Sequence, residues 1–218
     1  PTSHDMVYYL RRITGIKKIG HAGTLDPLAS GLLIMAISRT ATKQIDNLAK
    51  QDKVYEAVFQ LGGTSDTEDR LGQIETRTIK QIPDIREIRL ALNSFIGQIE
   101  QIPPMYSAKK IAGKKLYELA RKGQIIERQP SLITIHKIDL TEYAWPLLKL
   151  TIHCSAGTYI RSIARDLGEK LGCGAYMAEL RRTKIGNWSV DQANKPEELD
   201  KDNWTEYVLD NNELTNFI

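Results

Sequence analysis

Cysteine is scarce: Cys154 and Cys173 are the two in 218 residues, and they form no C-x-x-C pair. That usage speaks against a zinc cluster or a disulfide scaffold and for a reducing interior, so the expected compartment is the cytoplasm. No apolar run reaches the length of a membrane span, and no signal-like segment follows Pro1, where the chain begins. Flexible linkers, internal repeats and low-complexity tracts are also missing. With 41% hydrophobic and 26% charged residues, the chain has the make-up of a globular protein that builds one large domain or one domain carrying an insertion.

The net charge of +3 is unevenly spread. Residues 191–218 hold eight acidic side chains against Lys195 and Lys201, a net −6, so the preceding 190 residues carry +9. Between Met105 and Arg128 seven Lys or Arg face two Glu, with Tyr106 and Tyr117 interleaved. A basic body with a concentrated basic, aromatic segment is the footprint expected of a nucleic-acid binder.

Gly20-His21-Ala22-Gly23-Thr24-Leu25-Asp26-Pro27-Leu28-Ala29-Ser30-Gly31 reads as a stiff loop running into an apolar strand, Leu32 to Ile37. Pro27 biases Asp26 toward extended backbone, which leaves a carboxylate on a rigid turn beside a buried strand. Such a residue is either a turn former or a positioned reactive group. Thr2, Ser3 and Asp5 predict a helix that ends at Gly15, and Ala41 to Lys53 predicts another. Alternation of Tyr55, Ala57, Phe59 and Leu61 predicts a strand from Lys53 to Leu61. Thr64 to Gly72 lacks the calcium-loop spacing and reads as a solvated acidic turn. Asp84 caps a helix closing at Gly97, and residues 98–128 read as a projecting insertion with a short helix near Leu116 to Arg121. Ser131–Leu140 and Leu147–Cys154 read as strands. Thr158 is the expected N-cap of a helix carrying Ile160, Ile163, Leu167 and Leu171. Arg161 then lies in its first turn, against the helix dipole by about 0.3–1 kcal/mol, and calls for a compensating anion.

Four stretches, taken in order, resemble the bacterial tRNA pseudouridine-55 synthases of the TruB type. They are Lys18 to Pro27 with Ala41-Thr42-Lys43; Lys53-Val54-Tyr55 with Leu61-Gly62 and Thr67-Glu68-Asp69; Ile102 to Lys109 with Leu116-Tyr117-Glu118; and Gly157-Thr158-Tyr159-Ile160-Arg161 with Leu180-Arg181-Arg182. The resemblance implies a mixed α/β (α+β) pseudouridine synthase catalytic fold over residues 1–218. Its central, mostly antiparallel or mixed sheet is flanked by helices, with a thumb-like RNA-binding insertion near 98–128. It implies isomerisation of uridine 55 in the T-arm of tRNA by a flipped base, with no cofactor or metal, by a monomer needing no protein partner or membrane.

By the same matching Asp26 is the catalytic aspartate, acting at the ribose or at the uracil ring. Arg161 pairs with it and keeps it ionised, and Tyr55 stacks on the target base. His21, with Gly20, Thr24 and Leu180, contacts the extruded nucleotide, and Lys109, Lys110, Lys114, Lys115, Arg181 and Arg182 are, from their charge alone, candidates for phosphate contacts. A guide-dependent synthase of the dyskerin type shares the glycine loop and the Gly-Thr-Tyr-Ile-Arg turn and is the nearest rival. Four departures from the family pattern stand out. Pro1-Thr2-Ser3-His4 stands where relatives have already built a first strand, so an edge of the sheet is expected to be absent. Ser38 occupies a common glycine position, and Ser65 replaces a threonine. The tail after Gly186 is too short for the PUA domain of many relatives.

Overall fold

Thr2 opens the first helix, α1 (Ser3–Thr14), through a capping box: its hydroxyl accepts from Asp5 N at 3.2 Å while the Asp5 carboxylate accepts from Thr2 N at 2.6 Å. Gly15, with φ 71°, closes it. The computed structural model describes residues 1–107, 110, 111, 113–120, 123, 124 and 126–209. They form two compact units, one of residues 1–55 with 181–209 and one of the described residues between 56 and 180.

In the first unit, β1 (Ile19–Ala22) pairs antiparallel with β3 (Ile34–Ile37), and β2 is the two-residue Ser30–Gly31. Gly20 and His21 are therefore strand residues rather than loop, and the predicted strand from Leu32 begins at Ile34. Val7, Leu10 and Ile19 form a core with Ile13, Met35 and Ile37 around them. The predicted helix from Ala41 is two short ones, α2 (Arg39–Thr42) and α3 (Ile45–Ala49). Ser38 explains one departure from the family pattern: its φ of 100° and ψ of 165° are glycine backbone angles, and its hydroxyl accepts from Ala41 N at 3.3 Å.

β4 (Lys53–Leu61) has the predicted bounds, with Tyr55, Ala57, Phe59 and Leu61 buried on one face. In the second unit, β5 (Gly63–Ser65) and β6 (Ile74–Thr76) form a hairpin. Asp84 caps α4 (Ile85–Asn93) by accepting from Arg86 N and Glu87 N at 2.7 and 2.9 Å. β7 (Gly97–Gln101) follows, so residues 98–101 belong to the sheet and not to the insertion. A two-strand ribbon, β8 (Lys110–Ile111) with β9 (Lys114–Lys115), precedes α5 (Leu116–Ala120). β10 (Ser131–Ala144) runs beyond Leu140 and pairs antiparallel with both β7 and β11 (Leu147–Cys154). Leu148, Leu150, Ile152 and Cys154 are all buried, each apolar side chain contributing about 1.5–3 kcal/mol.

α6 (Ile160–Lys170) buries Ile160, Ile163, Ala164 and Leu167 and touches α4. β12 (Ala175–Ile185) leads back into the first unit, where Arg181 and Arg182 pair in parallel with Ser30 and Gly31, and β13 (Trp188–Ser189) closes the edge. The strand order is β13-β12-β4-β11-β10-β7 with β2 beside β12, and the antiparallel β13–β12, β11–β10 and β10–β7 pairs together with the parallel β2–β12 pair make the expected mixed sheet. No helix among the described residues is long and apolar enough to cross a membrane.

Ser38→Gly removes a strained conformation worth about 1–3 kcal/mol and loses a cap that glycine replaces at a cost of only a few tenths of a kcal/mol. The variant is expected to be more stable by about 1 kcal/mol in urea denaturation.

Candidate active site

Asp26 sits on a loop of the first unit that is pinned at several points. Leu25 N donates to the buried Ser3 hydroxyl at 2.9 Å, and Asp26 O accepts from Ala29 N at 2.9 Å to close a turn over Pro27. Beneath the loop lies Arg182, only 1% exposed. Its Nε donates to Leu32 O at 2.9 Å and its Nη2 to Gly23 O at 3.0 Å, while its guanidinium also hydrogen-bonds the Tyr55 hydroxyl. At Gly31, with φ 100°, an added Cβ would lie 2.2 Å from Arg182 O, so the loop can approach β12 this closely only with glycine there. Burial pulls the Arg182 pKa down and the Tyr55 oxygen works against that pull.

Arg182 thus departs from the phosphate-contact expectation, because its donors serve the protein's own carbonyls and a tyrosine. Arg181, on the opposite face of the strand, is exposed, as is Thr24. Gly20 and His21 lie opposite Ala36 and Met35 on β1. Burial first, then the charges of His4 and Arg182, lower the pKa of His21, which favours a neutral imidazole. Its Nδ1 is buried without a partner among the described residues.

The second unit holds Arg161, 4% exposed at the start of α6. Its N-cap is Tyr159, not Thr158, and no side chain of the helix caps the end. Gln101 fills that place: its Oε1 accepts from Tyr159 N at 2.8 Å and its Nε2 donates to Tyr159 O at 3.0 Å. Arg161 Nη2 donates to Tyr106 O at 3.0 Å, Nη1 to Thr67 O at 3.3 Å, and Nη1 lies 3.7 Å from Asp69 Oδ2. Asp69 is itself fixed by Leu71 N at 3.0 Å and Thr67 Oγ1 at 2.8 Å on Oδ1. Within this unit, a protein carboxylate provides the counter-charge that the helix position calls for.

The turn expected to be solvated is therefore buried at its centre: Glu68 is 8% and Asp69 5% exposed. Glu68 has φ 63°, a left-handed backbone that costs a non-glycine residue about 1–2 kcal/mol. Its carboxylate meets Arg165 Nη1 and accepts from Ser162 Oγ at 2.9 Å. Burial nonetheless raises its pKa, with Arg165 pulling the other way. Sequence reasoning missed both acids, although Thr67-Glu68-Asp69 stood among the stretches that carry the resemblance. Leu180 is buried in β12, and Lys109 lies outside the described residues.

A family model described as TruB family pseudouridylate synthase (N terminal domain) matches residues 11–160, and one described as tRNA pseudouridylate synthase B C-terminal domain matches residues 161–218. The chain belongs to the TruB family. Among curated TruB relatives, "tRNA pseudouridine synthase B" of Chlamydia pneumoniae is 50% identical over 191 residues, 88% of this chain and 80% of that protein. Its namesake in Chlamydia trachomatis serovar L2 is 47% identical over 215 residues, 98% of this chain and 88% of that one. Of the solved structures, a Cbf5-Nop10-Gar1 complex matches 98% of the chain with a TM-score of 0.71 and 28% identity. An H/ACA RNP bound to a substrate RNA containing 2'-deoxyuridine matches with a TM-score of 0.68 and 26% identity. The TruB chain spans about half the length of those two structures' chains, 55% and 54%. Membership makes this protein an isomerase that converts uridine to pseudouridine in tRNA.

Removing one member of the buried Arg161–Asp69 pair strands the other charge. Asp69→Ala is expected to lower the unfolding free energy by about 3–5 kcal/mol, and Arg161→Met in the same chain is expected to restore part of that loss, both read from urea denaturation.

Proposed function

We propose that the protein converts uridine 55 in the T-arm loop of tRNA to pseudouridine, as a cytoplasmic monomer without cofactor or protein partner. The family match across residues 11–218, with Asp26 on a pinned loop, is the observation that carries this reading. The reaction breaks the N1–C1′ bond, turns the uracil and joins C5 to C1′; C5 gives up its hydrogen and N1 gains one. A uridine inside a stacked loop exposes neither its sugar nor both ring faces to a carboxylate, so it must first leave the stack.

Asp26 then acts as an ionised carboxylate, either at C1′ or at the uracil ring. Arg161 supplies the positive charge that favours that ionisation. Tyr55 stacks on the base, its hydroxyl orientation set by the bond from Arg182. Its oxygen helps take the proton from C5. His21, Gly20, Thr24 and Leu180 shape the space around the extruded nucleotide, with neutral His21 filling room in the stack. Arg181 and the insertion, Lys109 included, meet phosphates.

Similarity to the Cbf5 structures favours a second reading, a synthase that works within an RNA-guided complex. At 46–52% identity, the relatives named tRNA pseudouridine synthase B weigh more heavily than neighbours at 26–28%. Activity on free tRNA without guide RNA separates the two.

Tritium release from tRNA carrying 5-³H-uridine reports attack at C5. The purified protein is expected to release one tritium per tRNA at position 55, and Asp26→Asn to release none while melting normally. Near-normal release by Asp26→Asn contradicts the assigned chemistry.

A further inference from the structure

The insertion starts where β7 leaves the sheet, and its root is held from α6. Gln101 is bonded to the Tyr159 backbone, and the carbonyl of Ile102 accepts from Ser162 Oγ at 3.1 Å and from Arg165 Nη2 at 3.2 Å. Ser162 has one hydroxyl proton for two acceptors, Ile102 O and Glu68 Oε2. Whenever that proton points to Glu68, the bond from Arg165 is what holds Ile102. Arg165 in turn is oriented by Glu68 on one side and by Asp166 Oδ1, 2.7 Å from its Nη2, on the other. The turn that contributes Glu68 also contributes Thr67 O and Asp69 to Arg161.

We infer that Glu68 and Arg165 are positioning residues for RNA capture, fixing the root of the insertion on the same turn and helix that hold Arg161. The inference rests on the reading of the insertion as the element that grips RNA. A purely stabilising role fits Glu68 poorly. Its backbone is one that glycine adopts without strain, and burial disfavours its charged form more than Arg165 favours it. A buried ion pair is weak grounds for stability and is better explained by the geometry it imposes. Here that geometry is the seat of Ile102, four residues before the Tyr106 carbonyl that receives Arg161.

The test is single-turnover tritium release on a T-arm RNA carrying 5-³H-uridine, across a range of protein concentration. Glu68→Gln and Arg165→Gln are each expected to raise the half-saturating concentration about tenfold, the scale of one charge-assisted hydrogen bond. Measured at a temperature where each variant is folded, the saturating rate should stay within about twofold, a split between binding and turnover that a structural role does not produce, whatever the loss of one member of a buried pair costs in melting temperature. Because the two residues act through one bond, the double variant is expected to be no worse than either single one. Lys114→Ala with Lys115→Ala tests the grip itself. If those lysine substitutions weaken capture and the Glu68 and Arg165 variants do not, this inference fails and the grip stands. If none of them weakens capture, the grip reading fails and takes the inference with it. A fall in saturating rate at unchanged half-saturation, or losses of capture that add in the double variant, also overturns it. Should Glu68→Gln not fold, Arg165→Gln gives the same readout alone.

Discussion

A guanidinium that is 4% exposed must find acceptors within the protein, and that requirement organises the second unit. Arg161 draws on Thr67 O and Asp69 from one turn and on Tyr106 O from the start of the insertion. The turn's acceptors are themselves held: Asp69 by Leu71 N and Thr67 Oγ1, the turn by Met177 N donating to Glu68 O at 3.0 Å. Three segments distant in sequence are thereby fixed around one charge. Desolvating a charge costs several kcal/mol unless such partners are in place, so the arrangement is all or nothing.

The first unit uses the same device for a different purpose. Arg182 satisfies Gly23 O and Leu32 O on either side of the Asp26 loop and reaches the Tyr55 hydroxyl. The carboxylate and the tyrosine proposed to work on the same uridine are therefore referenced to one buried side chain. Glycine at position 31 lets the loop lie directly on β12, and Ser3 ties it to the start of α1. A carboxylate proposed to react from a loop gains from this, because positioning errors of an ångström are costly in rate.

What could be read from the sequence was what local chemistry determines. The starts of α1 and α4, the alternation of β4 and the apolar faces of β11 and α6 are written in neighbouring residues. What escaped depended on distant partners. Glu68 and Asp69 look like solvent-facing acids in a turn until arginines more than ninety positions later are folded onto them. Arg181 and Arg182 are indistinguishable as a pair, yet a strand turns one outward and the other inward. Gly97 to Gln101, with Ile99 its one large apolar residue, carries no strand signal of its own and is ordered by pairing with β10. Family resemblance singled out Asp26, Tyr55 and Arg161 as the residues proposed for the chemistry. It marked Thr67-Glu68-Asp69 as well, without saying what the acids do.

The central claim is that Arg161 is already immobilised by these acceptors in the RNA-free protein. Side-chain NMR of ¹⁵N-arginine-labelled protein, with Arg161 assigned by its loss in Arg161→Lys, tests this directly. Resolved, slowly exchanging Nη protons for Arg161 are predicted, the mark of restricted rotation about Nε–Cζ. A single averaged signal for Arg161, like that expected of exposed Arg181, would contradict the account.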